Sequence, residues 1–598
     1  MKTRGEIDPK DTWDLTDLYP DSEAYLADLA AIAKMADQLA GYKGQLASSA
    51  KTLVEALTLN DKMGVTVERA AAYARLGFDS DMGNPKSKDL YERLDYLFAS
   101  LGEKLSFLEP ELLEMDPKTF AAFKKEEPGL ELYSWMMTKL FRQKEHVLSE
   151  REEELLTRMG TVAGSFDKIF DDLTVNDIVY PTIEGEDGKP LIANEANYRK
   201  ALESGDRNLR ERYYNALLGA YKQHINTITS TLAGNTRYHV LAAKSRGYAS
   251  SLEQALAPNN IPLSVYDNLI STLRQELTPL QDYLDFRRQI LGYDKLHFYD
   301  LFVPLVKGKS REYTFEEAKD IVLEAVAPLG AEYQKTMSRA FSERWIDIYP
   351  NKGKGTGAYA TGVYGKHPYC LLNFSGTLDD LSTIIHELGH AMHSFYSDTN
   401  QPFVNAAYCI FTAEVASTVN ENLLFHYMLD KVKTPEEKAD LLCGHLDGIR
   451  STLYRQGFFA DFERYAHQLV EADEPMVPQV LCEAYAKLYE LYHGPDFVVD
   501  DALTYEWSRI PHFYRPFYVY QYATGISAAI CLARGMLKEG EPKVKDYLNF
   551  LKSGGSNDPI ELLKGAGVDL STTAPIIAAV DDFRETLAEL KKVMKDIH

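Results

Sequence analysis

Cysteine is scarce in this chain. Only 5 of the 598 residues are cysteine, none of them spaced as C-x-x-C: Cys370, Cys409, Cys443, Cys482 and Cys531. A disulfide framework or a thiolate zinc site requires paired or closely spaced cysteines. The composition therefore excludes both, and it favours a reducing compartment, which we expect to be the cytoplasm.

Positive charge is also in short supply. The chain has 65 Lys and Arg against 89 Asp and Glu, which gives a formal net charge of −24. A surface of this sign repels the phosphates of nucleic acids and the side chains of acidic peptides. We therefore expect neither as a partner.

Long apolar runs are missing as well. No run of about 18 apolar residues, the length that spans a bilayer, occurs in the sequence. The first residues, MKTRGEIDPKDTW, lack the apolar core of a signal peptide. We expect no membrane partner, and these features leave the oligomeric state open.

The segment Gly376–Tyr396 predicts an amphipathic helix. Thr377 followed three residues later by Asp380 is a pattern typical of a helix start. Apolar residues then recur at helical spacing and predict one buried face: Leu381, Ile384, Ile385, Leu388, Met392 and Phe395.

This helix carries the motif His386-Glu387-Leu388-Gly389-His390, a match to HExxH. The two histidines lie one turn apart and roughly 40° apart around the helix, so both imidazoles can reach one Zn²⁺ ion. Glu387 lies beside them, where a carboxylate can take a proton from an attacking water. The motif therefore predicts a zinc site.

A catalytic zinc site normally needs a third protein ligand. His393 lies about 10.5 Å from His386 along the helix axis, too far for both to bind one ion, so we expect it to face substrate or support a ligand. Glu414, 24 residues after His390, is a better candidate, although it could equally be a solvated helix carboxylate. Glu421 is either another such carboxylate or a group that orients a ligand histidine.

Two stretches interrupt an otherwise helical pattern. Strand-length pieces at 172–176, 178–183 and 190–192, with a turn between the last two, predict a small β-hairpin. From 351 to 376 a glycine-rich loop precedes a predicted strand at Pro368–Phe374. Such a strand could bind an extended peptide along its edge, and the glycines would let the loop move; a plain surface hairpin is the alternative.

A cluster of aromatic donors occurs between 509 and 525. A tyrosine hydroxyl and an imidazole N–H are groups that can hold the oxyanion formed during peptide hydrolysis. An aromatic core seam would have the same composition. The cluster comprises His512, Tyr514, Tyr518, Tyr520 and Tyr522.

Taken together, these motifs resemble oligoendopeptidase F, within the thimet oligopeptidase-like family of zinc peptidases. The resemblance extends over nearly the whole chain. It depends on the segments WDLTDLY from Trp13, Gly357-Ala-Tyr before Pro368-Tyr, Asn373-Phe-x-Gly376, HELGHAMH, EVASTVNEN, RQGFFADFE and PFYVYQYATG.

The resemblance implies a mainly α fold, with two helical halves that enclose a deep substrate channel and a small β-sheet beside the zinc helix. We predict an N-terminal helical domain over 1–190 that ends in a small β-hairpin. A zinc peptidase catalytic domain is predicted over 191–598.

The resemblance also implies roles for individual residues. Zn²⁺ is expected to be held by His386, His390 and Glu414. Stabilisation of the transition state is expected from His512, Tyr514 and Tyr520. The remaining residues, expected to bind substrate, are Tyr518, Tyr369, Gly357 and His393.

We therefore predict a zinc-dependent endopeptidase that cleaves internal bonds of short oligopeptides, with Glu387 as the general base. One alternative is an exopeptidase of the carboxypeptidase or dipeptidyl carboxypeptidase type, in which Arg515 or Lys366 would hold the terminal carboxylate of the substrate. Another is a non-catalytic helical peptide-binding protein with a structural zinc. Structural zinc sites usually have four ligands, often thiolates, which argues against this last alternative.

Overall fold

The computed structural model describes residues 1–306 and 311–597, and it is mainly α-helical, as predicted. The helices are α1 (Ser22–Ala40), α2 (Ala50–Ser80), α3 (Pro85–Leu105), α4 (Leu108–Glu114), α5 (Pro117–Glu126), α6 (Ser134–Gln143), α7 (Glu150–Asp171), α8 (Glu195–Leu202), α9 (Arg207–Gln223), α10 (Ile225–Ser245), α11 (Ser251–Leu256), α12 (Leu263–Gln275), α13 (Thr278–Leu291), α14 (Phe315–Ala325), α15 (Ala331–Ser342), α16 (Leu378–Asn400), α17 (Phe403–Ala406), α18 (Ile410–Lys431), α19 (Pro435–Ile449), α20 (Arg455–Glu471), α21 (Pro478–His493), α22 (Tyr520–Glu539), α23 (Glu541–Ser553), α24 (Pro559–Gly565) and α25 (Ala574–Ile597). The short strands are β1 (Thr182–Glu184), β2 (Pro190–Ile192), β3 (Ile346–Asp347), β4 (Tyr359–Thr361) and β5 (Tyr369–Leu371).

The chain forms two compact units, each built from three separate stretches. The first contains Met1–Glu145, Ser310–Asp430 and Ala529–Val568, and the second contains the rest. Because each unit draws on distant parts of the chain, local sequence patterns cannot mark its limits. The division into domains at 1–190 and 191–598 stays a prediction, as does the substrate channel.

In the first unit, a three-stranded sheet lies against helix α16. The strand order is β3-β5-β4, with β5 parallel to β3 and antiparallel to β4. All three β5 residues are buried, and Cys370 Sγ in β5 lies 3.9 Å from the backbone oxygen of Glu387 in α16. The prediction of a small sheet beside the HExxH helix is therefore confirmed.

The N-terminus of α16 is closed by the predicted side chains. Thr377 Oγ1 accepts a hydrogen bond from the Asp380 N–H at 3.1 Å. The Asp380 carboxylate in turn accepts from the N–H of Thr377 at 2.9 Å and from the N–H of Ser375 at 3.1 Å. This reciprocal capping satisfies backbone donors that the first helical turn leaves unpaired.

The glycine-rich loop before β4 is held by hydrogen bonds to neighbouring segments. The Met82 N–H donates to the carbonyl of Gly353 at 2.7 Å. Asn373 Nδ2 donates to the carbonyls of Gly355 and Gly357 at 2.9 and 2.8 Å. These hydrogen bonds oppose the motion that the glycines led us to expect.

In the second unit, β1 and β2 form the predicted antiparallel hairpin, with Ile183 opposite Leu191. The strand expected at 172–176 is wrong, because α7 continues there as a π-helical turn over Asp172–Asp177. Thr174 Oγ1 donates to the carbonyl of Phe170 at 2.9 Å and the Ile178 N–H to that of Leu173 at 2.8 Å, which extends the helix.

No helix within residues 1–306 and 311–597 has the length and apolar character required to cross a membrane. The cytoplasmic location and the absence of nucleic acid partners stay predictions.

Candidate metal centre

Helices α16 and α18, both in the first unit, bring three metal-binding side chains together. Nε2 of His386 and Nε2 of His390 lie 3.6 and 3.8 Å from Oε2 of Glu414. The two imidazole rings have centroids 4.9 Å apart and are nearly perpendicular, at 83°. A tetrahedral zinc ion with bonds of about 2.0–2.2 Å separates its donor atoms by roughly 3.4 Å. The three side chains therefore fit a zinc-sized ion.

Gly389 allows the two helices to approach this closely. A β-carbon at position 389 would lie 2.5 Å from Ser417 Cα and 2.9 Å from the Ala416 carbonyl oxygen, both backbone atoms of α18. Neither atom can move without the helix. The glycine between the motif histidines thus sets the distance at which Glu414 faces them.

We expect Gly389→Ala to weaken zinc binding by about tenfold or more, because the added methyl group displaces α18 and Glu414 from the histidines. The zinc Kd, measured by competition with a chelating indicator, tests this.

The control is Gly444→Ala. Gly444 is exposed on α19, where an added β-carbon meets nothing within 4 Å. Alanine is favoured over glycine in a helix by about 1 kcal/mol. Helix propensity alone therefore predicts that either substitution, at position 389 or at position 444, stabilises its helix. An unchanged zinc Kd in Gly389→Ala would show that the helix contact does not position Glu414.

Each candidate histidine ligand has a second hydrogen bond that orients its ring. His386 Nδ1 lies 2.9 Å from Oε1 of Glu421, which leaves Nε2 facing Glu414. The imidazole of His390 hydrogen-bonds to the backbone carbonyl of Ala413. Partners of this kind fix the ring orientation of metal-binding histidines. The orienting role considered for Glu421 is thus supported by its position.

The carboxylates give the centre a field that favours positive charge. Burial lowers the pKa of His386, but the hydrogen bond and charge of Glu421, together with Glu387 and Glu414, outweigh it and raise this pKa to about 9. Burial and the charge of His386 lower the pKa of His390 to about 3. A divalent cation supplies the positive charge that three nearby carboxylates favour.

Glu387 lies between the metal-binding residues and the sheet. Burial raises its pKa to about 7, against the charge of His386 and a hydrogen bond from the backbone N–H of Ala360 in β4. A carboxyl group with a pKa near neutrality can both accept and release a proton at physiological pH. The surroundings of Glu387 thus leave its carboxyl group titratable near neutral pH.

Two residues of the first unit that were predicted to contact substrate, His393 and Tyr369, are buried, and their substrate roles stay predictions. His393 is 1% exposed, and its ring stacks on Tyr408 with centroids 3.7 Å apart. Tyr369 is 0% exposed in the central strand, and its hydroxyl donates to the carbonyl of Asp14 at 3.2 Å. Gly357 is exposed, and its substrate contact stays a prediction.

In the second unit, three aromatic side chains form a half-buried group that we call the His512 cluster: His512, Tyr518 and Tyr522. The ring of His512 lies 6.1 Å from each tyrosine ring, and the tyrosine rings lie 5.5 Å apart. Burial and the charge of Arg515 lower the pKa of His512, which favours the neutral imidazole. Tyr522 belongs to the predicted cluster of aromatic donors, but the sequence assigned it no individual role.

The catalytic roles of Tyr514 and Tyr520 stay predictions, and both residues are buried. Tyr514 is 6% exposed, and its hydroxyl is 2.6 Å from Thr231 Oγ1. Tyr520 is 3% exposed and packs against Tyr266 with ring centroids 5.2 Å apart. Both rings therefore pack into the core of the second unit.

Comparison with known proteins identifies the family. Residues 201–582 match peptidase family M3, and residues 111–180 match a family described as oligopeptidase F. The chain belongs to peptidase family M3. This M3 chain is a metallopeptidase, and the resemblance to oligoendopeptidase F is confirmed.

Several relatives are similar to the M3 chain over all or nearly all of its length. Oligopeptidase PepF of Bacillus subtilis is 40% identical over 597 residues, which cover 100% of this chain and 89% of that protein. Group B oligopeptidase PepB of Streptococcus agalactiae is 36% identical, over 100% of this chain and 99% of that protein. The crystal structure of oligoendopeptidase-F from Enterococcus faecium matches this fold with a TM-score of 0.75. The two sequences are 34% identical, and the match covers 96% of this chain and 99% of that one.

Proposed function

We propose that this M3 peptidase is a zinc-dependent endopeptidase that hydrolyses internal bonds of short oligopeptides. The convergence of His386, His390 and Glu414 beside Glu387 is the observation that carries the proposal. Two nitrogens and one carboxylate oxygen form a donor set typical of catalytic zinc. The names of the relatives, oligopeptidase and oligoendopeptidase, support short peptides as substrates.

The residues around the centre define the chemistry. Zn²⁺ held by His386, His390 and Glu414 would supply a Lewis acid that polarises the scissile carbonyl and lowers the pKa of a water molecule. Glu387 takes one proton from the attacking water as the water oxygen bonds to the carbonyl carbon. The same carboxyl group then gives this proton to the amide nitrogen as the C–N bond breaks, which releases an amine and a carboxylic acid.

We assign stabilisation of the oxyanion to the His512 cluster. Its three side chains carry N–H and O–H donors and are partly exposed, whereas Tyr514 and Tyr520 are buried. Donors that are already oriented in a partly dry site stabilise developing negative charge without the cost of reorganising solvent.

A doubly blocked peptide tests the proposal. We expect the zinc-loaded protein to cleave a short, internally quenched peptide that is acetylated at its N-terminus and amidated at its C-terminus. The product masses identify the bond that is cut. A chelator should abolish cleavage, and added Zn²⁺ should restore it.

The same peptide with free termini is the control. Release of one or two residues from its free C-terminus, with no cleavage of the blocked peptide, would establish an exopeptidase instead. Zinc binding without cleavage of either peptide would favour the non-catalytic binding protein.

A further inference from the structure

Phe517 has a backbone conformation that glycine adopts readily and other residues rarely adopt. Its φ is +51°, in the left-handed region where a β-carbon is crowded. A bulky aromatic residue keeps such a conformation only where its surroundings hold it, and held conformations of this kind concentrate at functional sites. Phe517 directly precedes Tyr518 of the His512 cluster.

The group that holds the Phe517 backbone is the carboxyl of Glu463 in α20. The Phe517 N–H donates to Glu463 Oε1 at 2.6 Å. Glu463 is 2% exposed, and its other oxygen, Oε2, has no hydrogen-bond partner among the residues that the structure describes. Burial raises the pKa of Glu463 well above its ordinary range, against the hydrogen bond from Phe517. An unpaired oxygen on a buried carboxyl group costs folding free energy, so its presence in a native structure calls for an explanation.

The ring of Phe517 is held as firmly as its backbone. It is 3% exposed and lies 4.4 Å, between centroids, from the ring of His467 on α20. The ring of Tyr266 on α12 packs edge-on against it at 5.7 Å. Main chain and side chain are therefore both fixed by the body of the second unit.

We propose that Glu463 is a positioning residue for the reaction: its carboxyl group holds Phe517 in the left-handed conformation, which turns Tyr518 toward His512. The inference rests on the proposed function, in which the His512 cluster contacts the reacting peptide. The sign of φ at position 517 sets the direction in which the chain leaves for Tyr518. With an extended φ, the Tyr518 ring could not occupy the same place beside His512.

We call the hydrogen bond from the Phe517 N–H to Glu463 the clamp. Amide hydrogen exchange tests the clamp without reference to activity. Glu463→Met keeps the length of the side chain and removes the acceptor, whereas Glu463→Gln keeps an acceptor oxygen. We expect exchange at the Phe517 amide, followed by mass spectrometry of the peptide that contains it, to be at least about tenfold faster in Glu463→Met. Glu463→Gln should exchange at the wild-type rate. Wild-type exchange in Glu463→Met would overturn the clamp.

Kinetics test the positioning role. In Glu463→Met we expect kcat for the blocked peptide to fall by about tenfold or more with KM within about twofold, because an interaction made in the transition state is lost. Glu463→Gln should restore kcat. On a Tyr518→Phe background, Glu463→Met should have little further effect, since residues that act through one another are not additive. Full additivity would overturn the role.

Two further variants separate positioning from a loss of folding. The control is Glu483→Leu, which removes an exposed carboxylate on α21. It should leave kcat and the exchange rate of the Phe517 amide unchanged. Phe517→Gly adopts a positive φ without help, so Glu463→Met on that background should lower kcat by less than it does in the wild type. An equal loss on both backgrounds would show that Glu463 acts otherwise. A wild type that cleaves no peptide would overturn the proposed function, and the exchange result would still decide the clamp.

Discussion

Replacement of Glu387 by glutamine is expected to lower kcat/KM for the blocked peptide by about 10²–10⁴-fold, the range typical of a lost general acid–base group. Glutamine matches the shape of glutamate, and its amide oxygen can still accept the hydrogen bond that the backbone of Ala360 donates. It cannot take a proton from water. Zinc content should stay at the wild-type value, because His386, His390 and Glu414 are unchanged.

Measurement of zinc content and cleavage rate in the same preparation checks both parts of this expectation. The control is Asp379→Asn, at the exposed start of the same helix, which should cleave at close to the wild-type rate. Retention of zinc and of full activity by Glu387→Gln would show that another group carries the proton. Loss of zinc by this variant would instead place Glu387 among the metal ligands.

Substitution of Glu414 by alanine is expected to weaken zinc binding by more than about 100-fold, because a loss of 10–100-fold is typical when a residue that only supports a ligand is removed. Its Oε2 lies 3.6 and 3.8 Å from the two imidazole nitrogens, and the three side chains converge closely enough to hold one ion. Cleavage at limiting zinc should fall in parallel. The measurement is the zinc Kd by competition with a chelating indicator.

Two variants on α18 calibrate this result. Asp430→Asn, exposed near the end of α18, should leave the Kd unchanged. The zinc Kd of Glu421→Gln should lie between those of Asp430→Asn and Glu414→Ala, since Glu421 orients His386 without belonging to the converging group. A Glu414→Ala protein with the wild-type zinc Kd would remove Glu414 from the ligand set.

Local patterns predicted the metal helix well. The capping pair Thr377 and Asp380, and the spacing of His386 and His390, involve neighbours three or four residues apart, and helix geometry alone sets their relation. The hairpin of the second unit was predictable for a similar reason, since a glycine-containing turn separates its two short strands. The mainly α fold follows from such patterns summed along the chain.

Pairing of the helices was harder to predict. Glu414 could have been a solvated carboxylate until α18 was seen against α16, and Gly389 carries no mark in the sequence that a backbone contact depends on it. Contacts between residues far apart in sequence depend on the packing of whole elements, which no local pattern encodes. The same is true of the hydrogen bond from Phe517 to Glu463, 54 residues earlier.

Burial distinguishes three neighbouring tyrosines that the sequence does not. Tyr514, Tyr518 and Tyr520 are equivalent as residue types within one short segment, yet the first and last pack into the core, while Tyr518 stays half exposed beside His512. The motif residues and their chemistry are thus encoded locally, because they depend on residue type and helical spacing. Which donors substrate can reach depends on how distant segments pack, since packing decides which side of each segment water and peptide can contact.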